Sequence, residues 1–177
     1  KKQNELFWDE KEAAYFFSDG QDPSVLLRTK EGSDGALPNS NAVSTLNLLR
    51  LFHLGAELEM KERADQTLQV FSSGIKNYPH AFAQFLIAFD FFNSKTSEIA
   101  VIEEKANPSS SDFLKKIRKI FIPSKVIAVG QAQSSSPPLL NGKKEIASQT
   151  TFYLCQNQHC EKPTTDFEEV LNLLQEK

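Results

Sequence analysis

The chain has 177 residues, with 20 basic against 23 acidic side chains, 40% hydrophobic residues, 14 Phe, 7 Gly and two Cys, a composition that supports a globular fold with a substantial core. A net charge of -3 with no concentrated basic face argues against a polyanion binder, so no nucleic-acid partner is expected. No run approaches the ~18 consecutive apolar residues that span a bilayer, Lys1 to Glu5 lacks the apolar stretch of a signal peptide, and two cysteines are too few for a disulfide scaffold, so no membrane partner and a cytoplasmic location are expected.

In chain order, Leu6-Phe7-Trp8 and Ala13 to Phe17 are short aromatic runs separated by Asp9-Glu10-Lys11-Glu12, a spacing that predicts a β-hairpin. Gly20 to Ser40 holds Pro, Gly and acidic residues around Val25-Leu26-Leu27, and reads as loop, brief strand, loop. Asn39, Ser40 and Asn41 are helix-capping types. The pattern Val43, Leu46, Leu49, Phe52 and Ala56 then predicts a helix from about Asn41 to Gly55. Ala64, Leu68, Phe71 and Ile75 predict a second helix ending near Gly74 or Asn77. The third, His80 to Asn93, carries Phe82, Phe85, Leu86, Phe89 and Phe92 with little polar surface elsewhere, and is expected to be buried nearly all round.

Beyond Lys95 the period changes. Glu98 to Glu103 and Lys125 to Val129 read as strands on either side of a helix over Asp112 to Phe121, a βαβ unit with a parallel pair. Gln131 to Lys144, with Ser134-Ser135-Ser136-Pro137-Pro138 and Asn141-Gly142, predicts a mobile surface loop. Gln149 to Leu154 predicts a third strand, and Thr164-Thr165-Asp166 caps a last helix bearing Phe167, Val170, Leu171 and Leu174.

A series of landmarks resembles one family. It consists of Trp8-Asp9-Glu10, Leu26-Leu27-Arg28-x-Lys30-Glu31, Asp34-Gly35-Ala36-x-Pro38-x-x-Asn41, Leu48-Leu49-Arg50-Leu51 and Tyr153-x-Cys155-x-x-x-x-Cys160. Nearly the whole chain looks like the C-terminal portion of the thioredoxin-domain-containing YyaL-like proteins, a group with a mammalian spermatogenesis-associated homologue. The resemblance implies an α+β chain. Residues 1–95 would be the β-hairpin and terminal helices of an (α/α)6 toroid, residues 96–177 a small α/β segment containing the loop 131–148, and the thioredoxin domain and most of the toroid would be missing. It also implies an analogy with six-hairpin glycosidases and epimerases, hence a sugar or sugar-phosphate ligand and no cofactor. Where the family reads Tyr-Asp-Gly-Ala-Glu-Pro-Ser-Gly-Asn, this chain has Ser33 in place of the aromatic residue and Leu37 in place of the second acid, and it has Ala13-Ala14 where the family carries Gly-Gly.

Arg28, Lys30, Glu31 and Asp34 lie close together in a loop entering a helix. Glu31 and Asp34 are the candidate acid/base pair, and Arg28, Lys30, Asp34, Asn41 and Asp90 the candidate ligand contacts. The alternative is a solvated loop in which Asp34-Gly35 turns and Asn41 caps the helix. Asp90, inside the apolar helix, either faces a toroid cavity or pairs with Arg118 or Lys95. His53 reads as an ordinary residue near a helix C-terminus. Cys155 and Cys160 flank His159, but His53 and His80 lie far along the chain. The expectation is a structural, oxidisable thiol pair and no metal site. No G-x-S-x-G, G-x-x-x-x-G-K-[ST] or G-x-G-x-x-G occurs. The over-apolar third helix predicts self-association as a homodimer burying at least about 1,000 Å², or a partner chain that supplies the missing toroid helices. A non-catalytic interaction module docking through that face is the alternative function.

Overall fold

The computed structural model describes residues 1–104, 110–156 and 159–175, and these form an α+β protein. The chain divides into two compact units. One comprises Lys1–Phe52 and Glu57–Asn93, the other His53–Ala56 and Ser94–Lys177.

In the first unit, α1 spans Lys2–Phe7, α2 Ser40–His53, α3 Leu58–Asn77 and α4 Ala83–Asn93, the last preceded by a 3-10 turn at Pro79–Ala81. The expected first strand of the hairpin is therefore a helix. Lys2-Gln3-Asn4-Glu5 contains no β-branched residue, and the turn closes on itself as the Trp8 N–H donates to the Asn4 carbonyl at 3.2 Å. What remains of the hairpin is a single antiparallel bridge between Trp8 and Tyr15. The turn joining them forces Ala13 and Ala14 to φ 60° and 64°, the left-handed region that favours glycine. No strand forms at Val25 to Leu27. The Val25 N–H instead closes a turn on the Asp22 carbonyl at 3.1 Å, and Leu26 stands almost fully in solvent.

Asn39 caps α2, its Oδ1 accepting from the N–H groups of Asn41 (2.9 Å) and Ala42 (3.3 Å). The core of the unit gathers Ala42, Leu68 and Phe85, with Phe71, Ile75, Phe82 and Phe92 against them. The helix α4 is not buried all round: only Phe85, Ala88 and Phe91 are buried, while Ile87 and Phe89 are 55% and 51% exposed. Asp90 also lies in the exposed part, so its charge carries no burial penalty.

The second unit is built on a sheet in the order β2-β1-β3-β4, with β1 at Ser97–Glu103, β2 at Lys125–Gln131, β3 at Thr151–Gln156 and β4 at His159–Cys160. The β1/β2 pair is parallel, with α5 (Ser110–Ile117) between its strands in sequence, and β3 runs antiparallel to β1. Both α5 and α6 (Phe167–Gln175) pack on one sheet face, where Ile99, Val101, Phe152 and Leu154 meet Phe113, Ile117, Val170 and Leu171. The helical layer is thus single.

Alternation puts Glu98, Ala100 and Ile102 on the other face. Here the segment expected to be a mobile loop is pinned. A 3-10 turn at Pro138–Leu140 buries Leu139 and Leu140, and the Leu139 N–H donates to the Leu54 carbonyl at 2.8 Å. Gly55 permits this approach: at φ +91°, a Cβ on it would lie 2.9 Å from the Leu139 nitrogen. Turn-forming residues marked the segment as loop, but the apolar pair Leu139-Leu140 anchors it.

Candidate functional site

In the loop leading into α2 and at its first turn, Arg28, Lys30, Asp34 and Asn41 are each occupied by bonds to neighbouring parts of the chain. The Arg28 guanidinium donates to the carbonyls of Ser18 (2.8 and 3.0 Å) and Leu6 (3.0 Å) and lies 4.0 Å over the Phe16 ring. Lys30 covers the same ring and reaches Asp9 at 2.7 Å, Glu12 at 3.1 Å and the Ala13 carbonyl at 3.2 Å. Its ammonium, with the N–H groups of Lys11 and Glu12, holds the Asp9 carboxyl below the ordinary carboxylate range.

Asp34 splits its two oxygens. Oδ1 accepts from the Asn39 N–H at 2.8 Å and Oδ2 from the Gln84 N–H at 2.9 Å, so the carboxylate sits at the N-terminus of α4 and complements its dipole. Glu31 is exposed. Asn41, 1% exposed, is a latch and not the cap. Its Oδ1 accepts from the Tyr15 N–H at 2.7 Å, and its Nδ2 donates to the Tyr15 carbonyl at 2.9 Å and the Glu31 carbonyl at 3.1 Å. Beside it, burial raises the Tyr15 phenol to about 12, and its hydroxyl donates to Asn4 at 2.7 Å.

The first unit also carries an open groove of about 340 Å³ between α3 and α4. Leu68, Ile75, Leu86, Phe89 and Phe92 supply its apolar wall, and Asp65, Gln69 and Lys76 its polar rim. The lining residues of α3 recur at intervals of three and four, the spacing of a single helix face.

In the second unit, the sequence reading did not find the pair formed by His53 and Glu98. The His53 Nδ1 lies 2.8 Å from the Glu98 Oε1, and the Glu98 side chain is 4% exposed. Lys143 lies within electrostatic reach of this carboxylate, although burial still lowers its ammonium below the usual lysine range. The signal for Glu98 was a lone acid opening the apolar run Ile99-Ala100-Val101-Ile102. Cys155 and Cys160, a cross-strand pair of β3 and β4, are joined in a disulfide. His159 and Cys160 are exposed, as is His80. Among the described residues, no group of three or more His, Cys, Asp or Glu side chains is placed to hold a metal ion, and no helix is long and apolar enough to cross a membrane.

No family model matches the chain, and no solved structure matches it. Among curated proteins, it is 29% identical to human spermatogenesis-associated protein 20 and 30% identical to the rat protein of that name, in each case over 97% of this chain and 23% of the relative. An uncharacterised protein of Caenorhabditis elegans is 23% identical over 94% of this chain. Over nearly its whole described length, therefore, this chain is homologous to spermatogenesis-associated protein 20, and it spans less than a quarter of that protein.

Proposed function

We propose that this chain is a non-catalytic docking module whose α3/α4 groove receives an amphipathic helix from a longer polypeptide of the kind its relatives represent. The exposed apolar face of α4 carries this reading: Phe89 and Leu86 line an open groove, and Ile87 stands beside them in solvent. Contiguous apolar surface of this kind usually marks an interaction site. A groove between two helices accepts a third by interdigitation, and the relatives carry more than three times this chain's length outside the matched region, ample sequence to supply one. Asp65 and Lys76, eleven positions apart on α3, favour an occupant with a basic residue near one end and an acidic residue near the other.

The carbohydrate-processing reading, with a YyaL-like toroid behind it, rests on resemblance. Its acid pair would be Glu31 and Asp34, and no observation favours it, because both Asp34 oxygens already accept backbone hydrogen bonds. Phe89→Asp distinguishes a covered face from a free one. In the isolated chain, at concentrations low enough to keep it monomeric, it should leave the melting temperature within about 2 °C, because the ring is half in solvent. In a full-length polypeptide containing this segment it should destabilise by about 3 kcal/mol or more, the cost of a charge placed in a packed interface. Equal small effects in both contexts would refute docking within the longer chain.

A further inference from the structure

A buried carboxylate on an apolar sheet, paired with a half-buried imidazole at the end of α2, is costly to maintain unless it serves a purpose. Glu98 is directly opposite Cys155 in the β1/β3 register. Opposed residues of an antiparallel pair project to the same face with Cβ atoms about 5 Å apart, so the Glu98 and Cys155 side chains are neighbours on one face of the sheet. The disulfide is asymmetric: Cys155 is 1% exposed, while Cys160, on the short strand β4 at the sheet edge, is exposed. A thiolate from solvent can therefore reach only one end of the bond. The sulfur expelled is the buried one, where a bare thiolate is disfavoured and needs a proton.

We infer that Cys155–Cys160 is an exchangeable redox disulfide reduced by low-molecular-weight thiols, with the Glu98–His53 pair handling the proton of the buried sulfur. An external thiolate attacks the Cys160 Sγ, forming a mixed disulfide and breaking the internal S–S bond. The electron pair leaves on the Cys155 Sγ, which takes one proton from the Glu98–His53 pair. The partly exposed His53 recovers that proton from water. A second thiolate attacks the external sulfur, releasing Cys160 as a thiolate and the reductant as its own disulfide. In the reverse direction, Glu98 accepts the Cys155 thiol proton as the thiolate forms and attacks. His53 acts through Glu98, orienting its carboxyl and resupplying its proton. Among the other groups facing Glu98 are Lys143, from the pinned segment after Pro138–Leu140, and the apolar Val126 of β2.

The probe is glutathione, with acid quench, alkylation and peptide mapping. In the wild-type chain, the trapped mixed disulfide should lie on Cys160; glutathione on Cys155 would overturn the inference, as would a pair that stays as free thiols after air oxidation. The reduction rate per glutathione thiolate should fall as pH rises, and His53→Gln should flatten that dependence. Folded Glu98→Gln should be reduced about 100-fold more slowly at pH 7. A wild-type rate independent of pH, or a loss under about twofold in Glu98→Gln, would overturn the proton role. If Glu98→Gln fails to fold, the mapping and the wild-type profile still decide.

Discussion

Replacing Asn41 by Ala should be among the most damaging single changes in the first unit. The amide ties the turn after α1 and the loop before α2 to the start of α2 through three hydrogen bonds of 2.7, 2.9 and 3.1 Å, all made at a site 1% exposed. Each bond contributes about 1 kcal/mol net, and stranding a buried partner adds desolvation cost, so the expected loss is about 3–5 kcal/mol. A domain of this size has only about 5–15 kcal/mol in all. Trp8, the single tryptophan, is buried and lies edge-on to Tyr15 at 5.0 Å, so its emission during urea unfolding reports on this locus. Asn41→Asp sharpens the test. It keeps the acceptor for the Tyr15 N–H but turns a carboxylate toward the carbonyls of Tyr15 and Glu31. Burial and these carbonyls would raise the folded pKa of the new acid, so the variant should lose stability relative to wild type as pH rises from 4 to 7, values spanning the ordinary carboxylate pKa of about 4. A loss under about 1 kcal/mol for Asn41→Ala would refute the latch.

Three further outcomes are expected. Because the Asp9 carboxyl is held below its ordinary 3.8, its contribution to stability is complete above that value and is lost as pH falls through the lower folded value; Lys30→Met should remove most of this acid sensitivity in Trp8-monitored titrations, and an unchanged acid limb would contradict the pairing. Ala13→Gly should stabilise by about 1 kcal/mol in urea melts, since Ala13 sits at φ 60°, and destabilisation would contradict the backbone assignment. Gly55→Ala should cost at least about 2 kcal/mol more than Gly142→Ala by calorimetry: both glycines have positive φ, but only at Gly55 does the new Cβ meet backbone, and equal costs would show that Leu139 is not seated there.

Local chemistry made much of this fold legible. The three- and four-residue spacing of Val43 to Phe52 and of Ala64 to Ile75 marked α2 and α3, and the switch to β-branched runs after Lys95 marked the parallel β1/β2 pair. The aromatic run at Leu6-Phe7-Trp8 misled because strand and short helix share apolar clusters, and a bond from Trp8 back to Asn4 decided between them. The candidate site was less legible. Arg28, Lys30, Asp34 and Asn41 are each held by hydrogen bonds, but their partners, from Leu6 and Asp9 to Gln84 fifty residues beyond Asp34, leave no trace in local spacing. His53 and Glu98 meet across forty-five residues for the same reason. The Ala13-Ala14 departure was visible as letters, but its meaning, two residues held where glycine is favoured, needed the backbone.

The docking account is tested most directly by sedimentation velocity of the isolated chain across micromolar concentrations, with and without Phe89→Asp. With the α3/α4 groove uncovered, the wild-type chain should self-associate reversibly, and the substitution at this half-exposed ring should return it to a monomer with its fold intact. A wild-type chain that remains monomeric throughout, with Phe89→Asp making no difference, would contradict the claim that this face exists to be covered.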